Sequence, residues 1–152
     1  MASRREPRRL EDIERELTRF VRRSRATSTA MAAEVHPELD VASYVVLITI
    51  RDLSESRPGG VRAADVGEAL RLHKSTMSRN ITVLENLGLL ERIPSPDDAR
   101  ARILRTTPTG DSSLTAAIQA RRKRMAETLS RWSAADVREL ARLLGQLNDD
   151  LA

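Results

Sequence analysis

At Gly88 the apolar rhythm of this chain changes, and that change limits the folds open to it. Before it, Met77, Ile81, Leu84 and Leu87 recur at the three- and four-residue spacing of one helix face. A glycine takes the left-handed backbone that closes a helix without steric cost, so the helix predicted from His73 stops there. After it come two short runs of strand character, "LLERI" at 89–93 and "ARILRT" at 101–106, around a tip rich in Pro and Asp. They predict a β-hairpin with a long loop rather than a two-residue turn.

The remaining segments are helical. Leu10, Ile13, Leu17, Phe20/Val21 and Met31 predict a first helix, with Arg and Glu on its other face and Pro37 interrupting it. Glu38–Leu53 predicts a second, more buried helix. Its run Val45–Ile50 has β-branched, strand-like propensity, but no turn signal divides the segment. "SRPGG" at 56–60 is a loop, and Ala63–Leu70 predicts a short helix with Val66, Ala69 and Leu70 inward. "RLHK" is a tight turn. Thr107 followed by Pro108 gives an N-cap hydroxyl and a proline at the first helical position, opening a long helix to about Trp132. Ser133 caps a last helix on which Val137, Leu140, Leu144, Leu147 and Leu151 recur. With one Trp, one Tyr and one Phe the core must be aliphatic, and 32% charged residues favour helices over a β-sandwich.

Short helix, tight turn, second helix and β-hairpin form the order of a winged helix-turn-helix. The fold class is therefore mainly α with a small β-hairpin wing: a winged core, residues 37–107, between terminal helices. Residues 1–36 form a basic arm and helix, and 108–152 the last two helices. The helix after the turn carries Lys74, Ser75, Thr76, Ser78 and Arg79 on its outer N-terminal face, with Thr82 one turn later. Hydroxyls and cations there suit base edges and phosphates in a major groove, and Arg79 suits a bidentate guanine contact. At the hairpin tip Arg100 and Arg102 suit a minor groove, with Asp98 orienting a guanidinium. The plainer alternatives are a solvated helix face and a solvated turn with chance charges. Residues 71–110 hold seven basic against four acidic residues, after a stretch, 31–70, with three against seven. The net charge of +4 adds only a modest pointer to a polyanion.

Other chemistries find little footing. There is no Cys, which excludes disulfides, thiolate metal sites and thiol redox sensing. His36 and His73 lack metal-ligand spacing, and no catalytic constellation, cofactor loop or metal cluster is legible. No run approaches a membrane span, and the Arg-rich start lacks a signal peptide's apolar stretch, so the expected compartment is the cytoplasm. "RRKR" at 121–124 reads as a solvated face, and Arg4, Arg5, Arg8 and Arg9 as an arm with nonspecific phosphate affinity.

Taken together, "LRLHKSTMSRNITVLENLGLLER" and "DDARARILRTTPTG" resemble the MarR family of winged-helix transcriptional regulators. The matches are Leu84–Leu89 at the end of the recognition helix, Asp98 and Arg100 in the wing, and Thr106–Gly110 at its close. Asn80 departs from the apolar residue usual in the family and is a further candidate to reach DNA, and Thr106 replaces a Leu. The resemblance implies a homodimer on double-stranded DNA with an inverted-repeat operator. It also implies a repressor released by a small phenolic or lipophilic effector, with Tyr44 and His36 as candidate lining residues. The apolar stripes Leu10–Phe20, Leu114–Leu129 and Val137–Leu151 support the dimer independently, as dimerisation helices. The rival reading is a winged helix that binds a protein partner, disfavoured by the Lys, Ser and Arg on its outer face.

Overall fold

The computed structural model describes residues 5–57, 59–95 and 100–151. The chain divides into two compact units, one up to Ala117 and one from Ile118 on. The first contains α1 (Arg5–Val35), α2 (Val41–Ser56), α3 (Ala63–Ala69), α4 (Lys74–Asn86), β1 (Leu90–Pro94) and β2 (Arg102–Thr106). The helix α5 (Pro108–Leu129) begins in the first unit and ends in the second, which also holds α6 (Ala134–Asp150). This is the mainly helical winged architecture expected from the sequence.

The core of the first unit lies around α2, which packs against α1, α3, α4 and β2. Val46, Leu47 and Ile50 are fully buried there, beside Val66, Ile81, Leu84, Leu89 and Leu114. Burial on several sides explains why the β-branched run folds as helix: packing outweighs a weak strand propensity. The helix starts and ends three residues later than the predicted 38–53. Asp40 caps it, accepting the Ser43 N–H at Oδ1 (2.9 Å) and the Ser43 hydroxyl at Oδ2 (2.8 Å). α3 departs from expectation on its inner face. Val66 is buried and Leu70 half-buried, but Ala69 is exposed, because the helix ends there and Leu70 already belongs to the turn. α1 begins earlier than Leu10, running through Pro7, which the first turn of a helix tolerates.

β1 and β2 pair antiparallel, with Leu90 opposite Thr106, Arg92 opposite Leu104 and Pro94 opposite Arg102. The Leu104 N–H also donates to the Val61 carbonyl (2.7 Å), tying the segment before α3 to the wing. The base of the wing is closed by Thr107. Its hydroxyl donates to the Gly88 carbonyl (2.6 Å) and accepts from the Gly110 N–H (3.0 Å), while its own N–H donates to the Leu89 carbonyl (3.1 Å). Gly110 has to be glycine here, since a Cβ would overlap the Leu89 carbonyl.

Asn80 is the anomaly in the core. Its side chain is 6% exposed, and its amide nitrogen has no hydrogen-bond partner among the described residues. It is therefore turned inward, not out on the exposed face of α4 where it would have to stand to reach a duplex. In the second unit α6 is capped as expected, with the Asp136 N–H donating to Ser133 Oγ (3.1 Å). No residue of α6 is buried.

Two stability predictions follow from these contacts. Partial burial works against the Asp40 carboxylate, but its hydrogen bonds from Ser43 and neighbouring amides outweigh that and hold its pKa below the ordinary 3.8. A carboxyl lowered in this way stabilises the fold above pH 3.8 and loses that contribution as pH falls through its folded-state value. Asp40→Ala should thus lower the thermal midpoint by about 2–4 °C near neutral pH, for a lost cap worth ~1 kcal/mol. The gap between parent and variant, followed by thermal melts across pH, should close in acid. Conversely, Asn80→Leu removes a buried donor with no acceptor, which costs about 1–3 kcal/mol. It should raise the midpoint by about 2–12 °C, and a lower midpoint would mean that the amide is satisfied by its surroundings.

Candidate nucleic-acid interface

The site is built by two helix ends and one helix start. α3 closes on a six-residue turn in which the Arg71 N–H donates to the Glu68 carbonyl (3.1 Å) and the Leu72 N–H to the Gly67 carbonyl (2.8 Å). α4 closes on the same pattern: the Gly88 N–H reaches the Glu85 carbonyl (3.0 Å) and the Leu89 N–H the Leu84 carbonyl (3.0 Å). Both turns need a left-handed residue, supplied by Gly88 at φ 68° and by Arg71 at φ 52°. Between them α4 is seated by Met77, Ile81 and Leu84, all buried, with Leu87 half-buried at its end. The inner stripe read from the sequence is thus the seated face, and the opposite face is fixed by it.

That opposite face carries Lys74, Ser75, Thr76, Ser78, Arg79 and Thr82, every one of them exposed. The Thr82 hydroxyl donates back to the Ser78 carbonyl (2.9 Å). The side chains of the other five make no hydrogen bond or ion pair among the described residues. The helix start is equally open. His73 holds the N-cap position with extended backbone (φ −66°, ψ 150°), without a side-chain cap, and no acidic residue stands in the first turn. Free backbone N–H groups, the positive end of the helix dipole and Lys74 coincide there, with Arg79 a turn further on, an arrangement that favours an anion.

The cations of the wing fall into two groups. Arg92 Nε donates to Glu85 Oε1 (2.9 Å), linking β1 to α4, and Arg105 Nε donates to Glu91 Oε1 (2.9 Å) across the strands. Exposed pairs of this kind add little stability, but they orient the side chains they hold. Arg102 is exposed at the outer end of β2 and Arg100 is exposed just before it. Asp98 lies outside the described residues, and its proposed pairing with Arg100 or Arg102 lies outside them too. Along the α3–α4 corner runs a groove of about 590 Å³. Ala63, Gly67, Met77 and Ile81 line it, and Arg71, His73, Lys74 and Arg92 stand with them. In the sequence Arg71 is only part of a tight turn; its backbone angle, φ 52°, is what marks it.

The remaining candidates lie elsewhere. Tyr44 is buried, its hydroxyl donating to Met31 Sδ (3.8 Å), and His36 Nδ1 accepts from the Glu38 N–H (3.2 Å). Both are engaged in joining α1 to α2. Residues 121–124 are exposed on the second unit. Among the described residues no cluster of His, Asp or Glu is placed to hold a metal ion, and no helix is long and apolar enough to cross a membrane.

Comparison with known proteins agrees with this geometry. The sequence pattern of the MarR family matches residues 48–101, from within α2 to just before β2. The uncharacterized HTH-type transcriptional regulator YxaD of Bacillus subtilis (strain 168) is 32% identical over 139 residues, covering 91% of this chain and 92% of that protein. Among solved structures, the MarR family transcription regulator SP03579 superposes with a TM-score of 0.80 at 20% identity, over 99% of this chain and 95% of the other. RV1404 from Mycobacterium tuberculosis does so with a TM-score of 0.74 at 20% identity, over 91% and 92%. Those two likenesses establish the fold, and the Bacillus relative, similar along nine-tenths of both chains, takes the relationship further. The chain belongs to the MarR family of transcriptional regulators.

Proposed function

We propose that this protein is a sequence-specific regulator that binds double-stranded DNA as a homodimer, with α4 in the major groove and the wing at the minor groove. The observation that carries the reading is the bare face of α4: Lys74, Ser75, Thr76, Ser78 and Arg79 exposed over an uncapped helix start. In this reading Arg79 reads a guanine edge, the hydroxyls and Lys74 fix the helix on the phosphates, and Thr82 closes the contact one turn on. Arg100 and Arg102 hold the wing to the minor groove, one or the other of them paired with Asp98.

Dimerisation is supported by apolar faces without cover in either unit. Leu10, Ile13, Leu17, Phe20 and Val21 stand exposed on α1, and Met125, Leu143, Leu144 and Leu151 in the second unit. A second copy of the chain is the occupant, with residues 1–36 and 108–152 forming the interface and 37–107 the DNA-binding core. Two recognition helices roughly 34 Å apart then read an inverted repeat. Family membership supports negative regulation in the cytoplasm. It also supports release by a small phenolic or lipophilic effector that fixes the two cores at the wrong spacing. The role requires no chemical step from the protein.

The test is fluorescence anisotropy against the DNA upstream of its own gene and against a scrambled duplex, across a salt series. The expected result is tight, salt-sensitive binding to the native fragment, saturating at one dimer per site. Absence of duplex binding at low salt would reject the reading in favour of a protein-interaction module. Arg79→Ala should weaken native-site binding by roughly 1–3 kcal/mol and relax preference at one base pair per half-site. By contrast, Arg100→Ala should weaken binding to native and scrambled duplexes alike and flatten the salt dependence.

A further inference from the structure

α3 and α4 end on the same hydrogen-bonded turn, yet they fill its left-handed position differently. Gly88 is the residue that stereochemistry favours, because it has no Cβ to crowd the carbonyl oxygen. Arg71 occupies the equivalent place at φ 52°, with a Cβ that crowds the left-handed turn and a long cation the fold does not use. Its side chain is exposed and makes no hydrogen bond or ion pair among the described residues. Packing gives no reason for arginine there, and a strained residue at the edge of a binding face is a pointer to function. Its position supplies the reason. Arg71 stands at the corner between the helices, beside His73, Lys74 and Ser78 on the groove that runs along the start of α4. Glu68 is the one acidic residue among those lining that groove.

We infer that Arg71 is a contact to the DNA backbone: its guanidinium takes a phosphate next to the one at the start of α4, and so fixes how far that helix enters the groove. The inference rests on the DNA-binding reading above and extends it to a residue outside the recognition helix and the wing. A phosphate contact carries no base information, so its loss acts equally on every sequence and removes one released counterion per chain. The backbone strain is present with or without DNA. Stability and binding at this position are therefore opposed.

The experiment compares the parent with Arg71→Gly, Arg71→Asn and Arg71→Lys by thermal melts and by anisotropy on native and scrambled duplexes across salt. Glycine and asparagine both accept the left-handed backbone, so the turn survives in each. Both should melt at or about 2 °C above the parent and bind both duplexes about 3–10-fold more weakly at low salt. Both should also lower the slope of log K against log salt by about one per chain. Lysine keeps the charge and should keep the slope. Parental affinity and slope in the Gly and Asn variants would overturn the contact while leaving the DNA reading intact. A loss confined to the native duplex with the slope unchanged would also overturn it, by making Arg71 a base reader. If the parent itself binds neither duplex, the DNA reading falls and the contact with it.

Discussion

The winged core depends on one hydroxyl. Thr107 lies nineteen residues beyond Gly88, yet its Oγ1 donates to the Gly88 carbonyl while accepting the Gly110 amide. One side chain thus joins the end of the helix that presents the exposed face, the end of the hairpin and the first turn of α5. Gly110 permits the approach, since any Cβ would displace the Leu89 carbonyl. This junction holds the base of the wing, while the buried stripe Met77, Ile81 and Leu84 sets the roll of α4 about its axis.

Given that frame, the polar chemistry sorts itself by what each group already touches. Glu85 and Glu91 occupy Arg92 and Arg105, which spend their charge on geometry within the wing. Among the described residues Lys74 and Arg79 pair with no acid, and the first turn of α4 contains none. The helix dipole, the unpaired backbone N–H groups and these cations all point the same way. An ordinary surface helix would place an acid at its start to relieve that field. Leaving it unrelieved lowers the stability of the isolated chain slightly and is consistent with an anionic partner.

Much of this was legible in the sequence because its signals are local. The stripe Met77, Ile81, Leu84 and Leu87 and the stop at Gly88 located α4. Ser133 and the Thr107-Pro108 step located the starts of α6 and α5. What stayed hidden depends on distant neighbours. The start of α2 is set by Asp40, whose capping role competed with the apolar Leu39 before it. Ala69 has the right spacing to face inward, but the turn that reverses the chain leaves it outside. The burial of Asn80 follows from how α4 rolls against α2, which no spacing reveals. Arg71 looks like any turn residue until its φ angle is known. The function was legible chiefly through the family resemblance, with charge and helix chemistry agreeing rather than deciding.

The scarcity of aromatic rings has an optical consequence. Trp132 is the only tryptophan, it belongs to the second unit, and it is 49% exposed. Tyr44 is the one ring inside the core of the first unit. Emission excited at the red edge therefore reports the second unit alone, while the core beneath α4 is silent at that wavelength. Followed together, tryptophan emission and far-ultraviolet circular dichroism view different parts of the same chain. Whether their melting curves coincide becomes a direct reading of whether the two units unfold as one.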